Sequence, residues 1–296
     1  MGWRAWLAFA ALGLIWGLPY FFIKIAVAEV SPVVLAFTRV ALAAAVLLPI
    51  AWRRGSLRVL TGHKPAVVAF ALVEFAVPFT AISLGERWIS SSVTGILIAM
   101  VPLSIALIQR FFGLSEALNA RRLAGLLLGF VGVVALLGAG PIAYPLGWIG
   151  VGCILLATLG YAIGPLIIQR HLSEVDSVGP LAASLVVTSA VLAIPAAYDW
   201  PSHLPSTLAL VSIAVLGLIC TALAMLLMFY LVRQAGASRA AVITYINPVV
   251  ATLLGVLVLH ESLGAGGYLA FATILLGSWL ATRGAPRRDQ TNPAHV

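Results

Sequence analysis

Long apolar runs, separated by short polar stretches, recur along the whole chain of 296 residues. Each run is about 20 residues long, the length that an α-helix needs to cross the hydrocarbon core of a bilayer. We predict ten membrane-spanning helices, at approximately 5–27, 33–51, 66–84, 90–109, 123–140, 148–168, 180–198, 208–231, 239–259 and 265–282. The pattern therefore predicts an all-α integral membrane protein whose connections are too short to hold a soluble domain.

The composition supports this class of protein. Hydrophobic residues make up 62% of the chain and the mean hydropathy is +1.11, whereas soluble domains are roughly 45 to 50% apolar. The two cysteines, Cys153 and Cys220, fall inside predicted spans and are interpreted as small apolar residues. The histidines show no pairing at ligand spacing. We expect no metal site and no cofactor.

The positive charges indicate an orientation. The net charge is +8, but the basic residues are dispersed among short loops, which argues against a nucleic-acid partner. With the N-terminus inside, 14 of the 17 Lys and Arg residues lie in cytoplasmic segments, and the opposite loops contain Arg87 alone. We predict a multi-pass inner-membrane protein with both termini cytoplasmic. The remaining cations, Lys24 and Arg39, lie within spans near their outer ends, where they either snorkel to the headgroups or contact a substrate.

One pattern of proline, apolar run and glutamate occurs twice. The stretch MVPLSIALIQRFFGLSEAL runs from Met100 to Leu118, and YINPVVATLLGVLVLHESLG runs from Tyr245 to Gly264. Aligning the prolines and the glutamates also brings two later glycines into register. The aligned pairs are Pro102 with Pro248, Glu116 with Glu261 and Gly132 with Gly277. A duplication is the simplest explanation.

The duplication predicts how the two halves are arranged. The same register pairs WGLPYFFIK at 16–24 with YAIGPLIIQ at 161–169, so each half holds five spans. Because five is odd, the second half enters the bilayer in the opposite orientation. We expect a first repeat at 1–143, an inverted second repeat at 144–284 and a cytoplasmic tail at 285–296, with a central cavity between the repeats. One asymmetry stands out: Pro78 in span three has no proline partner in span eight.

These doubled motifs and the ten-span layout resemble the EamA family of the drug/metabolite transporter superfamily, over essentially the whole chain. The resemblance implies a ten-helix, two-repeat fold and export of small metabolites. Within the family the chain looks most like YddG-type exporters, which carry aromatic and other neutral amino acids. The implied partners are a small-molecule substrate and the lipid bilayer, with proton coupling left open.

Interruptions at matching places in the two halves point to a transporter's binding site. Candidate helix breaks are Gly17, Pro19, Pro78, Pro102, Gly164, Pro165 and Pro248. Kinks that serve packing alone are the alternative. Candidate substrate-binding residues lie at or beside the breaks, and they are Trp16, Tyr20, Glu74, Thr80, Tyr161, Tyr245 and Asn247.

Each candidate has a chemical reason. Trp16 and Tyr161 occupy aligned positions and could sandwich an apolar or aromatic side chain. Tyr245 and Asn247 precede a proline that frees a backbone carbonyl, which suits recognition of a zwitterion. Two roles are open for Glu74: a protonated structural hydrogen-bond donor, or a cavity residue that binds an ammonium group or exchanges a proton.

Other functional classes fit the sequence less well. A membrane enzyme needs converging acids, bases or nucleophiles at membrane depth, and apart from Glu74 the spans offer almost none. We therefore predict a secondary transporter that exports small neutral metabolites, most readily aromatic or bulky apolar amino acids, by alternating access. The alternatives are an exporter of other drug-like metabolites and a passive facilitator or channel.

Overall fold

The computed structural model describes residues 3–58, 62–111, 120–138, 146–172, 175–235, 243 and 246–282. Within these ranges the α-helices are α1 (Trp3–Gly17), α2 (Pro19–Ala26), α3 (Pro32–Arg53), α4 (Lys64–Phe70), α5 (Val77–Gly85), α6 (Ser91–Ile98), α7 (Val101–Phe111), α8 (Ala120–Gly138), α9 (Gly147–Ile167), α10 (Val178–Tyr198), α11 (Thr207–Ala214), α12 (Ala224–Ala235), α13 (Asn247–Leu257) and α14 (Ala265–Thr282). Three π-helical segments, Ala71–Ala76, Ile168–Leu172 and Val215–Leu223, continue α4, α9 and α11. Every regular element in the described ranges is a helix.

Six helical segments are long and apolar enough to cross a membrane. They are Trp3–Ala26, Pro32–Arg53, Lys64–Gly85, Gly147–Leu172, Val178–Tyr198 and Thr207–Met228. Shorter apolar helices in the described part of the chain cover Ser91–Ile105, Leu123–Leu136, Asn247–Leu257 and Ala265–Leu280. The prediction of an all-helical membrane protein is confirmed. The predicted span 239–259 lies partly outside the described residues.

Glycines allow the closest helix contacts. In α8 and α14, a Cβ added to Gly277 would lie 2.5 Å from the backbone nitrogen of Gly129 and 2.7 Å from the carbonyl oxygen of Gly125. A Cβ on Gly132 would lie 2.7 Å from Cγ1 of Ile274 in α14. Gly125, Gly129 and Gly132 therefore form a small-residue face of α8 against which α14 packs closely.

Several interhelical connections meet at one end of the bundle, which we call the acidic end because Glu29, Glu86 and Glu261 lie there. Ser206, at the start of α11, donates from its backbone nitrogen and its hydroxyl to the Glu29 carboxylate. The Ser206 hydroxyl bond is the largest cause that holds the pKa of Glu29 below its usual range. Lys24 Nζ donates to the carbonyl oxygens of Glu86 (2.6 Å) and Ile89 (2.8 Å). These bonds join connections that are far apart in the sequence.

Candidate functional site

Two π-helical segments, one in each half of the chain, pack against helices of the other half. In the first, Ala71–Ala76, the wider turn precedes Pro78, which has no N–H to donate to a preceding carbonyl. The Val73 carbonyl there packs directly against Gly160 of α9. The second segment, Val215–Leu223, lies about 145 residues later and contains no proline. The backbone therefore widens in both of these segments even though no proline lies in or directly after the second one.

Arg39 lies inside the protein and does not reach the headgroups. Its side chain is 6% exposed, its Nε donates to Thr221 Oγ1 at 2.9 Å, and its Cζ lies 3.7 Å from the ring centroid of Phe79. Since α3 begins at Pro32, Arg39 is about two turns, or about 10 Å, into the helix. The snorkelling interpretation is wrong for this residue, because protein groups replace the headgroups as its neighbours.

Two of the predicted site residues, Tyr20 and Tyr161, lie near Arg39, and a third, Glu74, lies near Tyr161. Tyr20 on α2 is buried, Tyr161 on α9 is half-buried, and the two phenols and the Arg39 guanidinium lie within electrostatic reach of one another. Glu74 lies within electrostatic reach of Tyr161. We call Tyr20, Arg39, Glu74, Tyr161 and Thr221 the central cluster.

Glu74 has an unsatisfied carboxylate in this cluster. Its Oε2 is buried without a hydrogen-bond partner. The same oxygen fills the space beside Gly164, where any Cβ would overlap it. Gly164 therefore gives the carboxylate room to approach α9. A buried polar atom without a partner costs about 1–3 kcal/mol, so this oxygen is a strong candidate for contact with a ligand.

The other predicted binding residues have different neighbours or lie outside the described residues. Trp16 packs against the hydrophobic cluster that contains Leu12 and Leu231, whereas Tyr161 packs against two other clusters. With its amide nitrogen facing two carbonyls, Asn247 donates to Ile243 (3.0 Å) and Gly13 (3.2 Å) and so ties α13 to α1. The buried Thr80 Oγ1 has no partner. Tyr245 lies outside the described residues.

The predicted helix breaks differ in their geometry. α1 ends at Gly17 and α2 begins at Pro19, and Pro102 and Pro248 are each the second residue of a helix, α7 and α13. By contrast, α9 continues through Gly164 and Pro165, and the expected interruption appears only as π-helical widening from Ile168. The helix continues there because the Ile168 N–H still bonds to the Gly164 carbonyl across the proline.

The second copy of the repeated glutamate has a clear structural role. Glu261 Oε1 accepts from the backbone nitrogen (2.7 Å) and hydroxyl (2.9 Å) of Ser91, and Oε2 accepts from the same groups of Ser92 (2.9 and 2.6 Å). A carboxylate at a helix N-terminus satisfies free N–H groups and complements the helix dipole. Glu261 thus fastens α6 to the second half. Glu116, the first copy, lies outside the described residues.

Glu86, which the sequence places in a loop, is a buried residue. It follows α5, its side chain is 0% exposed, and neither carboxyl oxygen has a hydrogen-bond partner. Nothing in the sequence indicated that it is buried, because it lies in a polar connection between two helices. The charged groups nearest to it are Lys24, Arg39 and Glu261.

Comparisons with known proteins identify the family. The model of the EamA-like transporter family matches twice, at residues 3–138 and 148–283. An "uncharacterized transporter" of Archaeoglobus fulgidus is 27% identical over 281 residues, which cover 95% of this chain and 99% of the relative. The "uncharacterized inner membrane transporter YedA" of Escherichia coli (strain K12) is 29% identical over 287 residues, which cover 94% of this chain and 90% of the relative.

A solved structure shows the same fold. A crystal structure superposes with a TM-score of 0.68 and 22% identity, over 98% of this chain and 100% of that chain. The two family matches, the transporters among the relatives and the helices long enough to span a membrane all indicate a membrane transporter. The chain belongs to the EamA-like transporter family and is a multi-pass membrane transporter, not an enzyme.

Proposed function

We propose that this transporter exports small neutral metabolites, most readily aromatic or bulky apolar amino acids like those carried by YddG-type exporters, and that it binds them at the central cluster. The observation that carries the proposal is that a buried cation, Arg39, and a carboxylate with one buried, unpartnered oxygen, that of Glu74, both lie within electrostatic reach of Tyr161. A zwitterion presents the complementary pair of charges. Because a zwitterion is neutral overall, its binding adds no net charge to the buried site.

Arg39 is suited to the carboxylate of an amino acid. A guanidinium can donate two parallel hydrogen bonds to a carboxylate. Thr221 Oγ1 accepts a hydrogen bond from Nε of Arg39. Within the described part of the chain the guanidinium makes no other hydrogen bond, so its two terminal nitrogens can donate to a ligand. The stacked Phe79 ring holds the guanidinium plane in place.

The other groups of the cluster suit the rest of the substrate. An ammonium group donating to Glu74 Oε2 would remove the cost of that unpartnered oxygen. The rings of Tyr20 and Tyr161 offer surfaces for an aromatic or large apolar side chain. Trp16, Thr80, Tyr245 and Asn247 remain proposed as flanking residues of the same site.

Contacts between helices support two inverted five-helix repeats, at 1–143 and 144–284, with a tail at 285–296. Helices that the repeat aligns touch one another: α3 contacts α10, α6 contacts α13, and α8 contacts α14. A two-fold axis between the halves would produce this pairing. In such carriers the halves exchange conformations and expose one site to each side in turn, which is the alternating access that we propose.

The proposed orientation places both termini in the cytoplasm, with the acidic end outside. The partition of loop cations supports it, and YedA is named as an inner membrane transporter. Single cysteines near Ser56, at the exposed Arg54, and at the exposed Ser202 should react with an impermeant thiol reagent from opposite faces of the membrane. Labelling of both from one face would contradict the orientation.

Ligand-induced thermal stabilisation tests the substrate class. A ligand that binds only the folded state at 100 times its Kd stabilises the protein by about 2.7 kcal/mol. We expect L-phenylalanine and L-tryptophan to raise the melting temperature of the purified protein, and L-glutamate and L-lysine to leave it unchanged. Their amides and decarboxylated amines, which lack the group that Arg39 would bind, are the matched controls. Stabilisation by these controls or by drug-like cations, but not by the amino acids, would contradict the proposal.

A further inference from the structure

The Glu86 carboxyl group is unlike the other acidic groups at the acidic end. Glu261 and Glu29 each accept hydrogen bonds with both oxygens. Glu86 is 0% exposed and accepts none. A charged carboxylate without partners is very costly to bury, and such a group becomes neutral by taking up a proton.

The charged and titratable neighbours of Glu86 come from three elements. Lys24 and Tyr20 lie on α2, Arg39 on α3, and Glu261 on the connection before α14. Lys24 Nζ binds the backbone carbonyl of Glu86, not its carboxyl oxygens. On α9, the groups nearest the adjoining Gly85 are the uncharged Gly150, Cys153 and Ile154.

The balance of these effects favours the protonated acid. Burial is the largest cause and raises the pKa of Glu86 well above its usual range. The nearby Glu261 also raises this pKa, while Lys24 and Arg39 lower it. Because burial dominates, water reaching Glu86 would return its pKa toward the ordinary value of about 4.3.

We propose that Glu86 is a proton-binding site that is occupied while the acidic end is closed and releases its proton to water when that end opens. Binding consists of one proton passing from water to a carboxylate oxygen, and no other bond changes. This inference rests on the proposed carrier function, because only a carrier has to open this end during its cycle.

The contacts around Glu86 explain the link to opening. The connection 86–90 is held to α2 by Lys24, and α6, which follows it, is held to the second half by Glu261. Separating the halves at this end would break the Glu261 contacts and expose Glu86. Because Glu86 binds its proton more tightly in the closed state, low pH favours that state. The preference for the closed state weakens as the pH rises above the pKa that Glu86 has in the open state.

Infrared difference spectroscopy of the purified protein tests proton binding without a substrate. We expect a protonated-carboxyl band that persists above the pH at which ordinary carboxylates ionise, and that is lost in Glu86→Gln. Glu29→Gln is the matched control and should keep the band. Glu74→Gln shows how much of the band comes from the Glu74 carboxyl group and so separates it from that of Glu86. Glu86→Asp retains a titratable group and should show a shifted band. An unchanged band in Glu86→Gln would overturn the proposal.

Transport measurements test the link to opening. In proteoliposomes that exchange L-phenylalanine, acidifying the solution at the acidic end should slow wild-type exchange several-fold, and Glu86→Gln should abolish this pH dependence. Glu29→Gln should behave like the wild type. Wild-type pH dependence in Glu86→Gln would refute the coupling. If the wild type exchanges no L-phenylalanine while the infrared band depends on Glu86, the proton site stands and the amino-acid assignment fails.

Discussion

Replacing Glu261 by alanine is expected to cause a large loss of thermal stability. The Glu261 carboxylate accepts four hydrogen bonds from Ser91 and Ser92, and both serines are 0% exposed. Hydrogen bonds to charged groups contribute about 1.5–3 kcal/mol each, and buried donors left unpaired cost about 1–3 kcal/mol. Since such terms are not additive, we expect a loss of roughly 3 kcal/mol or more, measured as the melting temperature and the denaturant midpoint of the purified protein.

Glu29→Ala is the matched control for this loss. Glu29 binds the backbone nitrogen and hydroxyl of Ser206 in the same manner, but at an exposed position where water can replace it. We expect Glu29→Ala to lower the melting temperature much less than Glu261→Ala does. In Glu261→Gln the amide oxygen can still accept hydrogen bonds from one serine. The melting temperature of this variant should therefore lie between those of the wild type and Glu261→Ala. Equal melting temperatures for Glu261→Ala and Glu29→Ala would contradict the role assigned to Glu261.

Replacing Arg39 by glutamine is expected to reduce transport of the substrate about 10- to 100-fold in kcat/KM. The reason is the loss of a charge-assisted contact with the substrate carboxylate, worth about 1.5–3 kcal/mol, where about 1.4 kcal/mol corresponds to a factor of ten. The measurement is initial uptake of labelled L-phenylalanine into proteoliposomes. Melting curves of the same preparations separate this effect from loss of the fold.

Arg39→Lys is the informative companion. Lysine keeps the positive charge but loses the planar group that lies over Phe79 and the Nε bond to Thr221. We expect intermediate transport, with KM raised more than kcat is lowered. Wild-type kinetics in Arg39→Gln would remove the central cluster from the binding site and leave Arg39 as a residue that joins α3 to the second half.

The sequence predicted features that depend on local patterns. Apolar runs of spanning length correspond to the long helices. The interruption around Gly17 and Pro19 was also visible, because a proline restricts its own backbone and removes a donor. Such effects are encoded within a few neighbouring residues.

Features that depend on distant contacts could not be predicted in this way. Arg39 lies close enough to a helix end for snorkelling to be reasonable, and only Phe79 and Thr221, from two other segments, show that it is buried. Glu86 is buried beside Lys24, Arg39 and Glu261, which are far from it in the sequence. The π-helical segment at Val215–Leu223 has no proline to announce it. Of the central cluster, the sequence identified Tyr20, Glu74 and Tyr161 as candidates, left Arg39 open between snorkelling and substrate contact, and gave no signal for Thr221.

The most direct test of the central claim, a carrier that binds neutral amino acids and alternates between two sides, is counterflow. Proteoliposomes containing the purified protein are loaded with unlabelled L-phenylalanine and diluted into a trace of labelled L-phenylalanine. A carrier exchanges one for the other, so the account predicts that the label inside rises transiently above its equilibrium level and then declines. A smooth approach to equilibrium without this overshoot would indicate a channel, and the absence of protein-dependent uptake would contradict the proposed substrate.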